Sequence, residues 1–255
     1  MVEAILRGYH AQHPDITRLH RLGTTHQGRA VWALRVNDDT DLSRDEPDHK
    51  PALLLNGAHH GDELLSVDYA LDALQQVLEG REEARVKRWI AGLDLWFVPL
   101  VNPDGNHVTL HRSCGPNMGR KNGRDLNQNG RFELKKTRGT KPRDPMTAEG
   151  VDLNRNYPFM WAGLRHDKGS KSDEQHSRYR GAEAASEPET RMMTKLANEM
   201  HFVAAISWHT NASKILSPYT IPGVQNPTPD VAWDVAGEML QAMSSNIRTY
   251  KKRAR

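Results

Sequence analysis

The run Gly57-Ala58-His59-His60-Gly61-Asp62-Glu63 sets an imidazole and a carboxylate three residues apart, directly after the apolar stretch Pro51 to Asn56. At this His-x-x-Glu spacing, on a tight turn entering a helix, both groups can face one point. An imidazole nitrogen and a carboxylate oxygen both suit a borderline-soft cation such as Zn²⁺. Two donors do not complete a site. His209 follows a second apolar stretch, Val203 to Trp208, so it ends a strand pattern just as His60 does. Open α/β sheets collect ligands along that edge. Two His and one Glu, with a fourth position left to water, form a catalytic zinc set. His60, Glu63 and His209 are therefore the expected metal ligands. His59 is the neighbouring alternative but lacks a Glu three residues on. His107 and His111 flank a polar loop and read as surface residues.

A second oxygen-rich run is Asp125-Leu126-Asn127-Gln128-Asn129-Gly130. Oxygen donors at alternate positions and a Gly at the bend resemble the first half of a calcium loop. The twelfth position is Lys136 rather than a bidentate Glu, which excludes an EF-hand. A smaller Ca²⁺ site at Asp125, Asn127 and Asn129, completed by Glu133 or loop carbonyls, stands against a plain Asn/Gly turn.

The elements that must hold these groups alternate between short apolar runs and amphipathic stretches, which is the α/β signature. Helices are expected over Val2 to Gln12, Leu64 to Glu79 and Glu187 to Met200, with a final one inside Asp230 to Tyr250. In the second of these, Leu64, Val67, Leu71, Leu74 and Leu78 recur at spacings of three and four, giving one apolar face. Strands are expected at Val31 to Val36, Pro51 to Asn56, Leu93 to Val101 and within His201 to Trp208. Asn102-Pro103-Asp104-Gly105 reads as a turn closing the third strand. His111 to Gly150, rich in Gly, Asn, Arg and Lys, reads as a long functional loop.

With 255 residues, 37% of them hydrophobic, the chain can build one sizeable core. Its charge of +3 comes from the end: without Arg248, Lys251, Lys252, Arg253 and Arg255 the balance is 30 basic against 32 acidic residues. Neither a readout motif nor aromatic interleaving accompanies that tail, so nucleic acid is not an expected partner. No apolar run approaches the roughly 20 residues of a membrane helix, and the first residues do not read as a signal peptide. The lone Cys114 rules out an internal disulfide.

Five linked segments, in order, resemble the zinc metallocarboxypeptidases of the pancreatic and bacterial carboxypeptidase T type. They are His60-Gly61-Asp62-Glu63, Asn102-Pro103-Asp104-Gly105, Arg120-Lys121-Asn122, Gly150-Val151-Asp152-Leu153-Asn154-Arg155-Asn156, and Ser207-Trp208-His209 followed by Ser217-Pro218-Tyr219. His26-Gln27-Gly28-Arg29 also resembles the family's opening. The resemblance implies a three-layer α/β/α domain with a mixed, mainly parallel twisted sheet, spanning 1–255. It implies a peptidase that removes C-terminal residues from peptides and proteins. In that reading Asp152 accepts the second imidazole N–H of His60. Asn154 and Arg155 grip the substrate's terminal carboxylate, and Arg120 stabilises the oxyanion. Lys135, in Lys135-Lys136-Thr137-Arg138, competes with Arg120 for the same alignment.

The family's general-base glutamate lies on a strand well beyond the third zinc histidine. Here the acids after His209 are Asp230, Asp234 and Glu238, all in or beside the last helical stretch, and Tyr250 falls too early for the family's substrate-gripping tyrosine. The expectation is a domain incomplete at its C-terminal end, with little activity, or else a non-catalytic zinc- and peptide-binding pseudoenzyme. A deacylase on the same fold is a third reading.

Overall fold

The computed structural model describes residues 1–38, 50–111, 119–135, 147–162, 170–210, 214–219, 221 and 223–243. Cys114, Lys136, Thr137, Arg138, Tyr250 and the basic tail lie outside the described residues. Two compact units divide the chain, Met1–Thr210 and Asn211–Arg255.

In the first unit the elements run α1 (Val2–Gln12), β1 (Thr17–Thr24), β2 (Ala30–Val36), β3 (Ala52–Gly57), α2 (Leu64–Glu79), α3 (Ala84–Gly92), β4 (Asp94–Val98) and α4 (Pro103–His111). After these come the two-residue strands β5 (Leu134–Lys135) and β6 (Thr147–Ala148), a 3₁₀ turn (Leu153–Arg155), α5 (Pro188–Glu199) and β7 (Phe202–Trp208). The second unit contains α6 (Pro229–Met243). Its acids Asp230, Asp234 and Glu238 are exposed on that helix.

The main sheet has the order β1-β2-β4-β3-β7. It is mixed, and its two senses are evenly divided: β1–β2 and β2–β4 are antiparallel, β4–β3 and β3–β7 parallel. Strand pleating sends alternate side chains to opposite faces. Leu34, Val36, Leu95 and Phe97 therefore join one core with Leu74, Leu78, Val86 and Ile90 of α2 and α3. Val31, Ala33, Leu54, Trp96 and Val98 join a second core with Met193 and Leu196 of α5. Both faces are covered, which is why β3 and β4 read as continuous apolar runs rather than alternating ones. Across the strands, Arg35 and Asp94 form a buried ion pair at 2.7 Å. Asp94 also accepts bonds from Asn37 Nδ2 and Trp96 Nε1, so the charge is fully paired.

One expectation needs correction. Asn102-Pro103-Asp104-Gly105 is the start of α4 rather than a free turn. Asn102 Oδ1 accepts the Gly105 amide at 2.8 Å, an N-cap bond, and Pro103 occupies the first helical position, where its missing N–H costs nothing. β1 and α3 are two elements that the apolar pattern of the sequence does not predict.

Candidate metal centre

Parallel register decides where the candidate ligands meet. Asn56 pairs with Ser207 and Gly57 with Trp208, so β3 and β7 release the chain at the same sheet edge. His60 lies three residues past Gly57 and His209 one past Trp208. Between them Ala58 adopts φ +52°, a left-handed conformation that is uncommon for a residue with a Cβ. Ser66 Oγ holds it by accepting the Ala58 amide at 2.9 Å. At Gly61 a Cβ would run into the backbone nitrogen of Asn106 on α4, so this turn tolerates only glycine. Asn102 Nδ2 donates to His59 O at 3.2 Å and to Arg120 O at 3.3 Å, tying the His-x-x-Glu turn to the Arg120 segment.

The three side chains expected to bind metal converge. His60 Nδ1 lies 2.9 Å from Glu63 Oε1, and His209 Nδ1 lies 2.8 Å from Glu63 Oε2. One donor atom from each of the three falls within 4.8 Å of the others. Ligand atoms on a tetrahedral zinc with bonds near 2 Å stand about 3.3 Å apart. The separations in the cluster bracket that spacing, and its N₂O donor set suits Zn²⁺. Burial opposes ionisation of Glu63, yet the bonds from His209 and His60 outweigh it and hold the carboxyl down at about 2.

Behind His60, its Nε2 meets Asp152 Oδ1 at 3.1 Å. Arg120 donates to the other oxygen of Asp152 through Nη2 at 2.7 Å and Nε at 3.1 Å. Its Nη1 lies 3.4 Å from His60 Nδ1, the nitrogen that faces Glu63. Arg120 thus stands inside the cluster, whereas only the backbone of Lys135, in β5, is described. Burial pushes the Asp152 carboxyl up, but His60, Arg120 and Arg155 more than reverse this and leave it well below the usual carboxylate range.

Asn154 and Arg155 sit on the 3₁₀ turn that follows Asp152. Asn154 is exposed and Arg155 partly so. Arg155 Nη1 donates to Asn154 O at 2.7 Å, and its charge reaches Asp152.

The calcium expectation finds no support. Asp125 Oδ2, Asn127 Oδ1 and Asn129 Oδ1 accept the amides of Gly130, Asn129 and Arg131. The oxygens turn onto their own backbone, the behaviour of an Asn/Gly turn. His107 and His111 lie on α4 with ring centroids 4.4 Å apart.

Two arrangements were not read from sequence. His59, weighed as an alternative ligand, is buried and bonded instead to Tyr157 Oη at 2.7 Å and Ser207 Oγ at 3.3 Å. Burial, aided by His209 and His60, pushes its imidazole down to about 3, so the ring is neutral. Beneath the Arg120 segment, Asn122 Nδ2 donates to the buried carboxylates of Glu187 at 2.8 Å and Glu189 at 3.1 Å. Asn122 Oδ1 accepts the Val151 amide at 2.9 Å, which fixes the strand of chain that leads into Asp152. Apolar periodicity carries no signal for such polar contacts between distant segments.

Comparison with known proteins gives a consistent answer. The chain is 27% identical over 215 residues to metallocarboxypeptidase A of Arthroderma otae, covering 82% of this chain and 44% of that protein. It is 26% identical over 221 residues to a zinc carboxypeptidase of Saccharothrix mutabilis subsp. capreolus, covering 83% and 45%. The chain spans about half the length of the curated relatives it matches. Its fold resembles carboxypeptidase A from Helicoverpa armigera (TM-score 0.71, 23% identity, 98% of this chain and 55% of that one). It also resembles thrombin-activatable fibrinolysis inhibitor (TM-score 0.74, 23% identity, 98% and 57%). The sequence pattern that defines the zinc carboxypeptidases matches residues 2–254, and this chain belongs to that family.

Proposed function

We propose that this chain carries the zinc- and carboxylate-binding part of a carboxypeptidase active site and acts on the C-termini of peptides and proteins. The observation that carries the reading is the meeting of His60, Glu63 and His209, with Asp152 bonded behind His60. Zinc held by these three ligands supplies a Lewis acid for the scissile carbonyl. The remaining work belongs to side chains. Asp152 fixes the orientation of His60 and raises its basicity as a ligand. Arg120, already anchored on Asp152, keeps Nη1 beside the metal-facing nitrogen of His60, where it can donate to the oxygen on which negative charge develops. Asn154 and the planar fork of Arg155 suit a terminal carboxylate, which a lysine would hold less directionally.

Among the described residues, neither carboxylate of the cluster is free to take a proton from water. Glu63 is engaged by both imidazoles, and Asp152 by His60 and Arg120. Lack of a positioned acid/base lowers rates by about 10²–10⁴. Residues 1–255 should therefore bind zinc and hydrolyse slowly. The test is to load the 255-residue chain with zinc and follow release of C-terminal residues from a peptide panel against a chelator control. Chelator-sensitive release with strict dependence on a free C-terminal carboxylate supports the exopeptidase reading. Turnover near an ordinary enzyme rate of about 10 s⁻¹ would require a base among the other acids of the chain. Binding of peptides without any hydrolysis would favour a zinc- and peptide-binding module.

A further inference from the structure

His59 precedes a zinc ligand, yet its ring takes no part in the cluster. It is 6% exposed and lies against the ring of His209, centroids 5.9 Å apart and nearly parallel at 22°. Both ring nitrogens are occupied. Nε2 meets Tyr157 Oη at 2.7 Å, and Nδ1 meets Ser207 Oγ at 3.3 Å. The Ser207 hydroxyl donates to Asn56 Oδ1 at 2.9 Å. A hydroxyl has one proton, so Ser207 must accept from His59, which places the imidazole proton on Nδ1. Nε2 is then a bare acceptor, and Tyr157 donates to it. No carboxylate bonds to the ring among the described residues. The chain of donors runs in one direction, from Tyr157 through His59 and Ser207 to Asn56, with every proton used once.

The positions that this relay joins are informative. Asn56 and Ser207 are register partners on β3 and β7, the two strands that deliver His60 and His209. Ser207 lies two residues before His209. Tyr157 lies two residues after Arg155, on the segment that carries Asp152, Asn154 and Arg155. The His59 carbonyl also accepts from Asn102 Nδ2, so its backbone is fixed as firmly as its ring.

We propose that His59 is a positioning residue that couples the third zinc ligand to the carboxylate-gripping segment, through its Nδ1–H tautomer bonded between Ser207 and Tyr157. The proposal rests on the zinc and carboxylate roles given above. His209 held by a metal would be held against the ring of His59, and the relay would carry that placement to the Asn154–Arg155 turn; a carboxylate bound there would act back on metal affinity by the same factor.

The test uses the zinc-loaded 255-residue chain. Long-range ¹⁵N–¹H correlation spectra of the histidines should show His59 protonated at Nδ1 and bare at Nε2. Zinc affinity, by chelator competition, and affinity for N-acetyl-phenylalanine as a carboxylate probe should each fall about tenfold in Tyr157→Phe and in Ser207→Ala, the low end for outer contacts to a metal site. In a His59→Phe background, which keeps an apolar ring in the space, the same two substitutions should add less than about twofold. A proton on Nε2 overturns the proposal. So do effects that persist in full in the His59→Phe background, and so does a lowered melting temperature with both affinities unchanged. Failure of the underlying reading looks different: His209→Ala would keep its zinc, or the unaltered chain would not bind the probe, whatever the His59 tautomer.

Discussion

Two polar clusters are built from the same side-chain types, but their donors and acceptors balance differently. Around Glu187 the count closes. Its Oε1 accepts from Arg124 and Ser186, and its Oε2 accepts from His26 and Asn122. Four donors meet four lone pairs. Burial raises the Glu187 carboxyl, but these bonds win and hold it at about 2. Around Glu63 the count closes only if His60 carries a proton on both nitrogens, one facing Asp152 and one facing Glu63, or if a cation stands where the second proton would be. Two imidazole nitrogens and both carboxylate oxygens point at one another, with only their own protons to share. Residue type does not separate a structural cluster from a ligand-binding one. Lone pairs aimed at one point, which need an added proton or cation to balance them, do.

The sharpest way to break that comparison is to remove a lone pair from the open cluster. His209→Ala should lose zinc by more than the 10–100-fold typical of outer contacts, read by metal analysis after dialysis. It should leave thermal stability of the metal-free chain nearly unchanged, because His209 is partly exposed and bonds only Glu63 in the cluster. Zinc retained at the original stoichiometry would move the metal elsewhere.

Removing the centre of the closed cluster should do the reverse. Glu187→Ala strips acceptors from Asn122, His26, Arg124 and Ser186. Breaking a buried charged pair costs about 3–5 kcal/mol, and because Arg124 is about a third exposed, a loss near 3 kcal/mol is expected. Urea unfolding measures it. Zinc affinity of the folded fraction should change less than about threefold. A tenfold loss would show that the clusters act as one unit through Asn122 and Val151.

Asp152 sits where the two kinds of cluster meet, since it is buried and fully bonded yet touches His60. Asp152→Asn keeps the shape and removes the charge. Zinc affinity should fall about 10–100-fold, and a cobalt-substituted sample should show an altered visible spectrum. An unchanged spectrum and affinity would make Asp152 a structural acid only.

This contrast also explains what could be read in the sequence. Leu64 to Glu79 was legible to the residue because its apolar spacing is local and its length is set by one face. The convergence of His60 and His209 was legible because register makes strand ends meet: apolar runs before both residues are enough to bring them to one edge. β1 was missed because Thr17 to Thr24 carries Arg18, His20 and Arg21, and a strand at the edge of a sheet need not alternate cleanly. α3 is only nine residues long, with Val86 and Ile90 its sole buried residues, too short a face for periodicity to reveal. Asn102 to Gly105 was read as a turn because an N-cap and a turn use the same residues for the same reason, a side-chain oxygen that accepts a nearby amide. The Glu187 and His59 contacts join segments far apart in sequence, and their geometry appears only once the sheet has formed.

Glu189 gives the most discriminating effect, because beside the closed count around Glu187 its own count fails. Its Oε2 accepts from Asn122, but the buried Oε1 finds no partner. Burial, with Asp104 and Glu187 nearby, pushes the carboxyl up to about 7, against 4.5 for an ordinary glutamate. The sign follows. Below pH about 4.5 the group is protonated in both folded and unfolded chains and contributes nothing. Between about 4.5 and 7 the unfolded chain ionises while the folded one keeps its proton, so stability falls as pH rises. Above about 7 the penalty is constant, on the order of 3 kcal/mol. Glu189→Gln mimics the protonated acid and should remove this slope. Urea unfolding at pH 4, 5.5, 7 and 8.5 should show the variant gaining on the parent through the middle of that range and holding its gain above it. The acid limb should survive in both proteins. Glu187, with its carboxyl held at about 2, contributes stability that is present above pH 4.5 and lost as pH falls through 2. Parallel curves across pH 4.5 to 7 would mean that Glu189 ionises like a surface acid, and that an uncounted donor completes the closed cluster.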